Sequence, residues 1–224
     1  MSGGALLGRA RPPEGFTLLE VMVALLLMAL MAILSWRALD SMVRTRDVLA
    51  RHDQQFDAAR SLFGQWDQDC RELGPPDQWL AGVPVNVAAH RVDLIRQRHQ
   101  PNGAGLWVIV SYRWNDGLIE RLESAPVSTR QTLLQNWNKL QQGQEPDALF
   151  PVTSVPLMTQ TADLQARVRM SGADWTTDGQ QIDAQWRLPN LRGNALLLGL
   201  DLAILLPGAD TAPLHKICLT GQNG

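Results

Sequence analysis

Histidine and cysteine are scarce in this chain, and their scarcity removes much chemistry at once. The four histidines, His52, His90, His99 and His215, are dispersed, with no His-x-x-x-His pair to offer a metal two imidazoles from one helix face. Cys70 and Cys218 are the only cysteines, far from a Cys-x-x-Cys spacing. No Gly-x-Ser-x-Gly elbow and no phosphate-cradling P-loop occurs. The formal net charge is −2, with no basic block, so the electrostatic footprint of a nucleic-acid binder is missing. Two acidic groupings remain. Asp174, Asp178 and Asp183 sit near Gly172 and Gly179. Hard cations want clustered oxygens, but the spacing is not that of an EF-hand loop, and a solvated loop is the plainer reading. Asp67, Asp69 and Glu72 lie close along one helix end. Nothing positions a nucleophile or a metal beside them, so they read as a surface charge cluster. The chain is expected to hold no metal, no cofactor and no catalytic residue, and to be a structural protein.

What the sequence does have is one long apolar run. Residues 16–36 carry a single charge, Glu20. At 1.5 Å per residue such a helix spans about 30 Å, one hydrocarbon thickness. A lone carboxylate near the head of a membrane segment is costly and marks function. Residues 1–15, MSGGALLGRARPPEG, hold Arg9, Arg11 and two prolines but no apolar core, and they read as a leader outside the folded protein. Arg9 and Arg11 favour a cytoplasmic leader, although Arg37, Arg44 and Arg46 lie on the other side of the run.

After Trp36 the composition turns to mixed charge while helical periodicity continues. Phe56, Ala59, Phe63, Trp66, Cys70 and Leu73 recur at three- and four-residue steps, one face of an α-helix. Leu39, Met42, Val43 and Leu49 extend that stripe upstream less regularly. Gly74-Pro75-Pro76 then stops the helix. A helix over residues 16–73 is predicted, its first half apolar (16–36) and its second half amphipathic (37–73), with the Phe56-to-Leu73 stripe buried against a domain. Gly64 is a mild helix defect of about 1 kcal/mol relative to Ala.

Residues 77–224 suffice for one core. Strands are predicted over 91–95, 106–114, 118–122, 163–170, 180–188, 194–206 and 214–220, and a short helix over 133–142. Asn115-Asp116-Gly117 is a hairpin turn signal. The run over 194–206 is too short to span a membrane and reads as a buried central strand paired with 214–220. One long helix followed by strands argues for an α+β domain, an antiparallel sheet packed on the helix.

The segment Gly15-Phe16-Thr17-Leu18-Leu19-Glu20, followed by the apolar run, resembles the processing site of type IV prepilins and of the pseudopilins of type II secretion. The resemblance implies that prepilin peptidase cleaves between Gly15 and Phe16 and that the new Phe16 amine is methylated. It also implies that Glu20 pairs with the Phe16 amine of a neighbouring subunit, fixing axial register; a matched pair costs far less in low dielectric than either charge alone. Leu26, Leu30, Ile33 and Leu34 are then expected to be membrane and filament contacts. The stretch Ser35-Trp36-Arg37-Ala38-Leu39-Asp40, and the late apolar strand followed by a short one bearing Lys216, look like the J-type minor pseudopilins. That subtype implies a single-pass inner-membrane protein with its C-terminal domain in the periplasm. Its partners would be the I-, K- and H-type minor pseudopilins and the major pseudopilin, in a tip complex that starts pseudopilus assembly and meets the secretin or cargo. Two other readings stand beside it: a minor pilin that primes a type IV pilus, and a membrane-anchored periplasmic enzyme.

Both cysteines would then lie in the exported part, where disulfides persist. A Cys70–Cys218 bridge would tie the last strand to the helix. Two buried thiols on core faces are the other reading, and the sequence leaves both open.

Overall fold

The computed structural model describes residues 17–73, 83–99, 105–149, 151–187, 197–208 and 212–220. The chain divides into two units, residues 1–53 and 54–224. Helix α1 (Leu18–Arg71) is 54 residues long and belongs to both. It starts two residues later than the predicted 16. After Arg71 the backbone leaves the helix because Glu72 and Leu73 join a sheet: the Gln97 N–H donates to the Glu72 carbonyl at 3.0 Å, and Leu73 bridges Arg96. The predicted Gly74-Pro75-Pro76 stop lies outside the described residues.

In the first unit every described side chain of α1 is exposed, and the helix is long and apolar enough to cross a membrane. So extended an apolar surface marks contact with lipid or other helices.

The second unit carries two antiparallel sheets where one was expected. The first is a meander of β1 (Val85–Ala88), β2 (Arg91–His99), β3 (Gly105–Asn115), β4 (Leu118–Ser124) and β5 (Val152–Met158), ordered as in the chain. Helices α2 (Arg130–Gln141) and α3 (Pro146–Leu149) lie between β4 and β5. The second sheet is β6 (Asp163–Met170), β7 (Leu197–Leu205) and β8 (Leu214–Leu219), with α4 (Gly179–Arg187) between β6 and β7. The β3–β4 turn has positive φ at both central residues, 44° at Asp116 and 81° at Gly117. That is the twist a two-residue hairpin requires, and Gly117 adopts it without a Cβ penalty. β7 is the central strand of its sheet and pairs with β8 as well as β6.

Three expectations need correction. Residues 180–188 were expected to be a strand, but Gly179–Arg187 is helical, with Leu188 outside the described residues. Asp178 caps this helix: its Oδ1 accepts from the Gln180 N–H at 2.8 Å and the Gln181 N–H at 3.4 Å. Phe56 was expected on the buried stripe but is 51% exposed. The domain covers α1 only from about Ala58 onward, so the buried seam is Ala59, Leu62, Trp66 and Cys70. The upstream residues Leu39, Met42, Val43 and Leu49 are likewise exposed. Strands β1 and β5 were not anticipated. β1 has only four residues, and β5 contains Pro156, tolerable because β5 is an edge strand.

The main core joins that seam to both sheets. Val92 and Leu94, Val108 and Val110, and Ile119 come from the first sheet; Leu164, Val168, Leu200 and Leu202 come from the second. The opposite face of the first sheet carries a smaller core, Ile95 and Ile109 under Leu133, Trp137 and Leu140 of α2. The alternation of β2 and β3 thus serves two layers, even positions facing α1 and odd positions facing α2.

Candidate functional site

The cleavage junction Gly15–Phe16 lies outside the described residues. Glu20 is exposed in the first turn of α1. Its backbone N–H donates to Thr17 Oγ1 at 3.3 Å and to the Thr17 carbonyl at 3.0 Å. Thr17 is therefore the N-cap and Glu20 the N3 residue, in the Thr-x-x-Glu order of a capping box. The Glu20 side chain faces the positive end of the helix dipole, where a carboxylate is favoured. Leu26, Leu30, Ile33 and Leu34 are all exposed.

The far end of α1 is built differently. Asp69, expected in a surface cluster, is wholly buried. Three adjacent strands converge on its carboxylate. Arg96 of β2 pairs with Oδ1, Tyr112 Oη of β3 donates to Oδ2 at 2.6 Å, and Arg121 of β4 donates from Nε at 2.7 Å and Nη2 at 2.9 Å. Gln65 Nε2 adds a bond at 3.3 Å from one turn back. Burial and the charge of Asp69 push the Tyr112 phenol far above its usual range, which keeps it a neutral donor. Burial alone would lower the Arg121 guanidinium, but its hydrogen bond and charge attraction to Asp69 outweigh that and raise it. Glu72, 3.4 Å from Arg96, and Glu123, 2.8 Å from Arg121, balance the second positive charge. Burying charge is tolerable when it is so fully paired.

The next residue, Cys70, is bonded to Cys218 of β8, with Cα atoms 6.4 Å apart and a sequence separation of 148. Asp67 and Lys216 face each other at 3.8 Å beside the disulfide. One turn of α1 is thus tied to the first sheet by Asp69 and to the second by Cys70. Periodicity alone signals Cys70; for Asp69 the only sequence signal is its place one residue from the apolar seam.

Two other acidic positions are structural. Asp201, buried on β7, accepts from Arg167 at 3.0 and 2.5 Å and lies 3.1 Å from His215 Nδ1. Asp93, buried on β2, meets Asn86 at 2.8 Å and Ser111 at 2.5 Å, with Arg91 Nε at 3.2 Å in an ion pair lacking hydrogen-bond alignment. Burial raises the Asp93 carboxyl above its ordinary range against these partners. Among the described residues no group of three or more His, Cys, Asp or Glu could hold a metal ion. Asp178 is spent on capping α4.

A cleft of about 510 Å³ opens between β1 and β6, lined by Val87, Ala89, His90, Asp163, Ala166 and Asp178 among others. His90 has φ +58° and sets its Nδ1 2.5 Å from Asp163 Oδ1. Burial would push the Asp163 carboxyl up, but bonds from Gln165, His90 and the Leu164 N–H hold it below its ordinary range.

Residues 12–36 match the prokaryotic N-terminal methylation motif. The chain carries a type IV pilin-like N-terminal signal. Its one long N-terminal helix followed by antiparallel sheets is an α+β arrangement consistent with the pilin-like fold. A pilin-like signal implies prepilin peptidase processing and assembly with other pilin-like chains, and the apolar helix fits a single-pass membrane anchor. No curated protein matches the chain.

Proposed function

We propose that this chain is a minor pseudopilin of type II secretion, of the J type, which joins the I-, K- and H-type subunits in the tip of the pseudopilus. Its membrane helix would hold it in the inner membrane before assembly, with the β-rich unit in the periplasm, where it starts the filament and meets the secretin or cargo. The observation that carries the reading is the pilin-like signal over residues 12–36 continued by Trp36-Arg37-Ala38-Leu39-Asp40. The domain is consistent with a structural role. Its buried charged groups are matched to partners in the fold, as a rigid building block requires, and the protein acts as a filament component without catalysis. A disulfide between α1 and β8 suits the oxidising periplasm.

The test is cross-linking of the full chain in cells of its source, with partners identified by mass spectrometry. Cross-links to other prepilin-type minor subunits together with secretion components support the reading. Cross-links to pilus subunits move it to a minor pilin that primes a type IV pilus. Absence of any prepilin-type partner overturns both and returns the anchored-enzyme reading.

A further inference from the structure

We propose that the free edge of β8 binds an extended, acidic segment of a partner protein, which adds a fourth strand to the second sheet. The inference concerns the second unit alone and is independent of which filament the chain serves.

Among the described residues four strands end the two sheets, β1 and β5 in the first, β6 and β8 in the second. Three of them are closed to a further strand. α4 lies against β1, where a Cβ on Gly179 would stand 3.4 Å from the Val87 carbonyl. β5 carries Pro156, and its register on β4 shifts. β6 meets Thr176 through Val168, and its Leu164 and Ala166 are buried. β8 has neither proline nor register shift, and among the described strands it pairs with β7 alone. Its lysine, Lys216, faces Asp67 of α1 and so does not guard the edge.

The backbone of β8 alternates between bonded and outward positions. The Thr220 N–H donates to the Leu198 carbonyl at 3.3 Å, and Cys218 and Lys216 pair with Leu200 and Leu202 in the same register. His215, Ile217 and Leu219 therefore turn their N–H and C=O groups away from β7. Among the described residues no donor or acceptor meets these groups. The 3.7 Å neighbour of the Leu219 carbonyl, Cys218 Sγ, is a disulfide sulfur and carries no hydrogen. The side chains of the same three residues lie on the face away from α1 and are exposed, 50% for Ile217 and 74% for Leu219. Among the described residues of the second unit, Phe56 and Val155 are the other exposed large apolar side chains. Only on β8 do two such side chains adjoin outward backbone groups. Three outward positions over about 14 Å template a strand of about five or six residues.

The charge beside this edge selects the occupant. Asp67 is shared by Lys216 at 3.8 Å and Arg71 at 2.8 Å, so the inner flank of β8 carries one positive charge in surplus. On the outer face Asp201 is already shared by Arg167 and His215. An acidic residue opposite Lys216 complements the edge, and apolar residues opposite Ile217 and Leu219 cover their exposed surface. A second copy of the chain fits less well. Antiparallel pairing about Ile217 sets the two Lys216 side chains diagonally on one face, about 7–8 Å apart, where like charges repel.

The full chain in detergent is titrated with fluorescein-labelled Val-Thr-Val-Glu-Thr-Thr, followed by fluorescence anisotropy. Paired antiparallel, the first and third residues of the peptide face Leu219 and Ile217, and its glutamate faces Lys216. Saturable binding is expected. N-methylation of the third-residue amide, which donates to Ile217, weakens it at least about tenfold, whereas N-methylation of the glutamate amide, which points to solvent, leaves it within about twofold. Lysine in place of the glutamate weakens binding about fivefold, and Lys216→Gln narrows that difference to about twofold. Ile217→Pro removes an outward donor and no ladder bond, so it abolishes binding while the melting temperature holds. Equal affinity for the two N-methylated peptides overturns strand addition, equal affinity for the glutamate and lysine peptides overturns the charge selection, and no binding of the glutamate peptide overturns the site. Sedimentation supplies one more outcome: a parent dimer that Ile217→Pro dissolves gives the edge to a second copy and overturns the partner. The peptides are compared on unaltered protein, so their outcome stands even if Ile217→Pro misfolds.

Discussion

Arg121 grips Asp69 with two hydrogen bonds, 2.7 Å from Nε and 2.9 Å from Nη2 to the two carboxylate oxygens, where the carboxylate is fully buried. Arg96 and Tyr112 complete the ring of donors. Removing one member of a buried ion pair leaves its partners charged and desolvated, at a cost of about 3–5 kcal/mol. Asp69→Asn keeps the shape and deletes the charge, so it should lose stability on that scale. Denaturant midpoints measured at equal m-value check it. A loss under about 1 kcal/mol would mean that solvent reaches the site.

Cys70 stands beside Asp69 on the same turn, and its disulfide closes a loop of 148 positions. The chain-entropy account assigns such a loop a stabilisation of about 5 kcal/mol. The paired Cys70→Ser, Cys218→Ser variant should unfold at clearly lower denaturant than the parent, and reductant should shift the parent to the same midpoint. A parent indifferent to reductant would show that the bond is not formed in the protein as isolated.

These two neighbours also show what was legible in the sequence. Cys70 belongs to an apolar stripe, so its inward direction follows from helical periodicity. Asp69 does not, because a carboxylate scores as surface wherever it lies. Only the pairing of β2, β3 and β4, which brings Arg96, Tyr112 and Arg121 to one point, makes its burial tolerable. Such convergence is non-local and leaves no periodic trace. The same holds for α4: its glutamines suit a strand reading until Asp178 is seen capping the helix. The β3–β4 hairpin was legible because Asp116-Gly117 is a local signal with one geometric solution. Phe56 failed for the opposite reason, since periodicity says which face it occupies but not where the domain ends.

Gly64 lies on an exposed turn of α1, and a Cβ there would meet nothing within 4 Å. Gly64→Ala removes only backbone entropy from the unfolded chain and should add about 0.5–1 kcal/mol. That corresponds to a rise of about 1–4 °C in melting temperature, read by circular dichroism at 222 nm. A fall would show that the surface at Gly64 is covered by another chain.

Asp163 supplies a pH test. Its folded value lies below the ordinary one, so the group binds protons more readily when unfolded. Its stabilisation is present above the ordinary carboxylate value near 3.9 and is lost as pH falls through the lower folded value. Asp163→Asn should therefore lower stability at pH 6 and flatten the loss below about pH 4. Asp93 acts with the opposite sign: its raised value means that this group alone favours folding less as pH rises past the ordinary carboxylate range. Parallel acid limbs in the parent and Asp163→Asn would remove the His90–Asp163 contact from the account.

Glu20 and Thr17 allow assembly to be separated from helix formation. The N-cap bond runs from the Glu20 backbone to Thr17 Oγ1, so Glu20→Leu leaves it in place, whereas Thr17→Val removes it at a cost of about 1 kcal/mol. Under the filament reading, Glu20→Leu should be cleaved after Gly15 at the parental rate yet fail to enter filaments, because its carboxylate no longer meets the Phe16 amine of a neighbour. Gly15→Leu should accumulate uncut, since a bulky side chain blocks close approach of the peptidase to the backbone. The mass of the membrane-extracted chain reads cleavage, and filament-bound fraction after shearing reads assembly. Normal assembly of Glu20→Leu would leave the carboxylate with its helix-dipole role alone, and normal maturation of Gly15→Leu would displace the cleavage site.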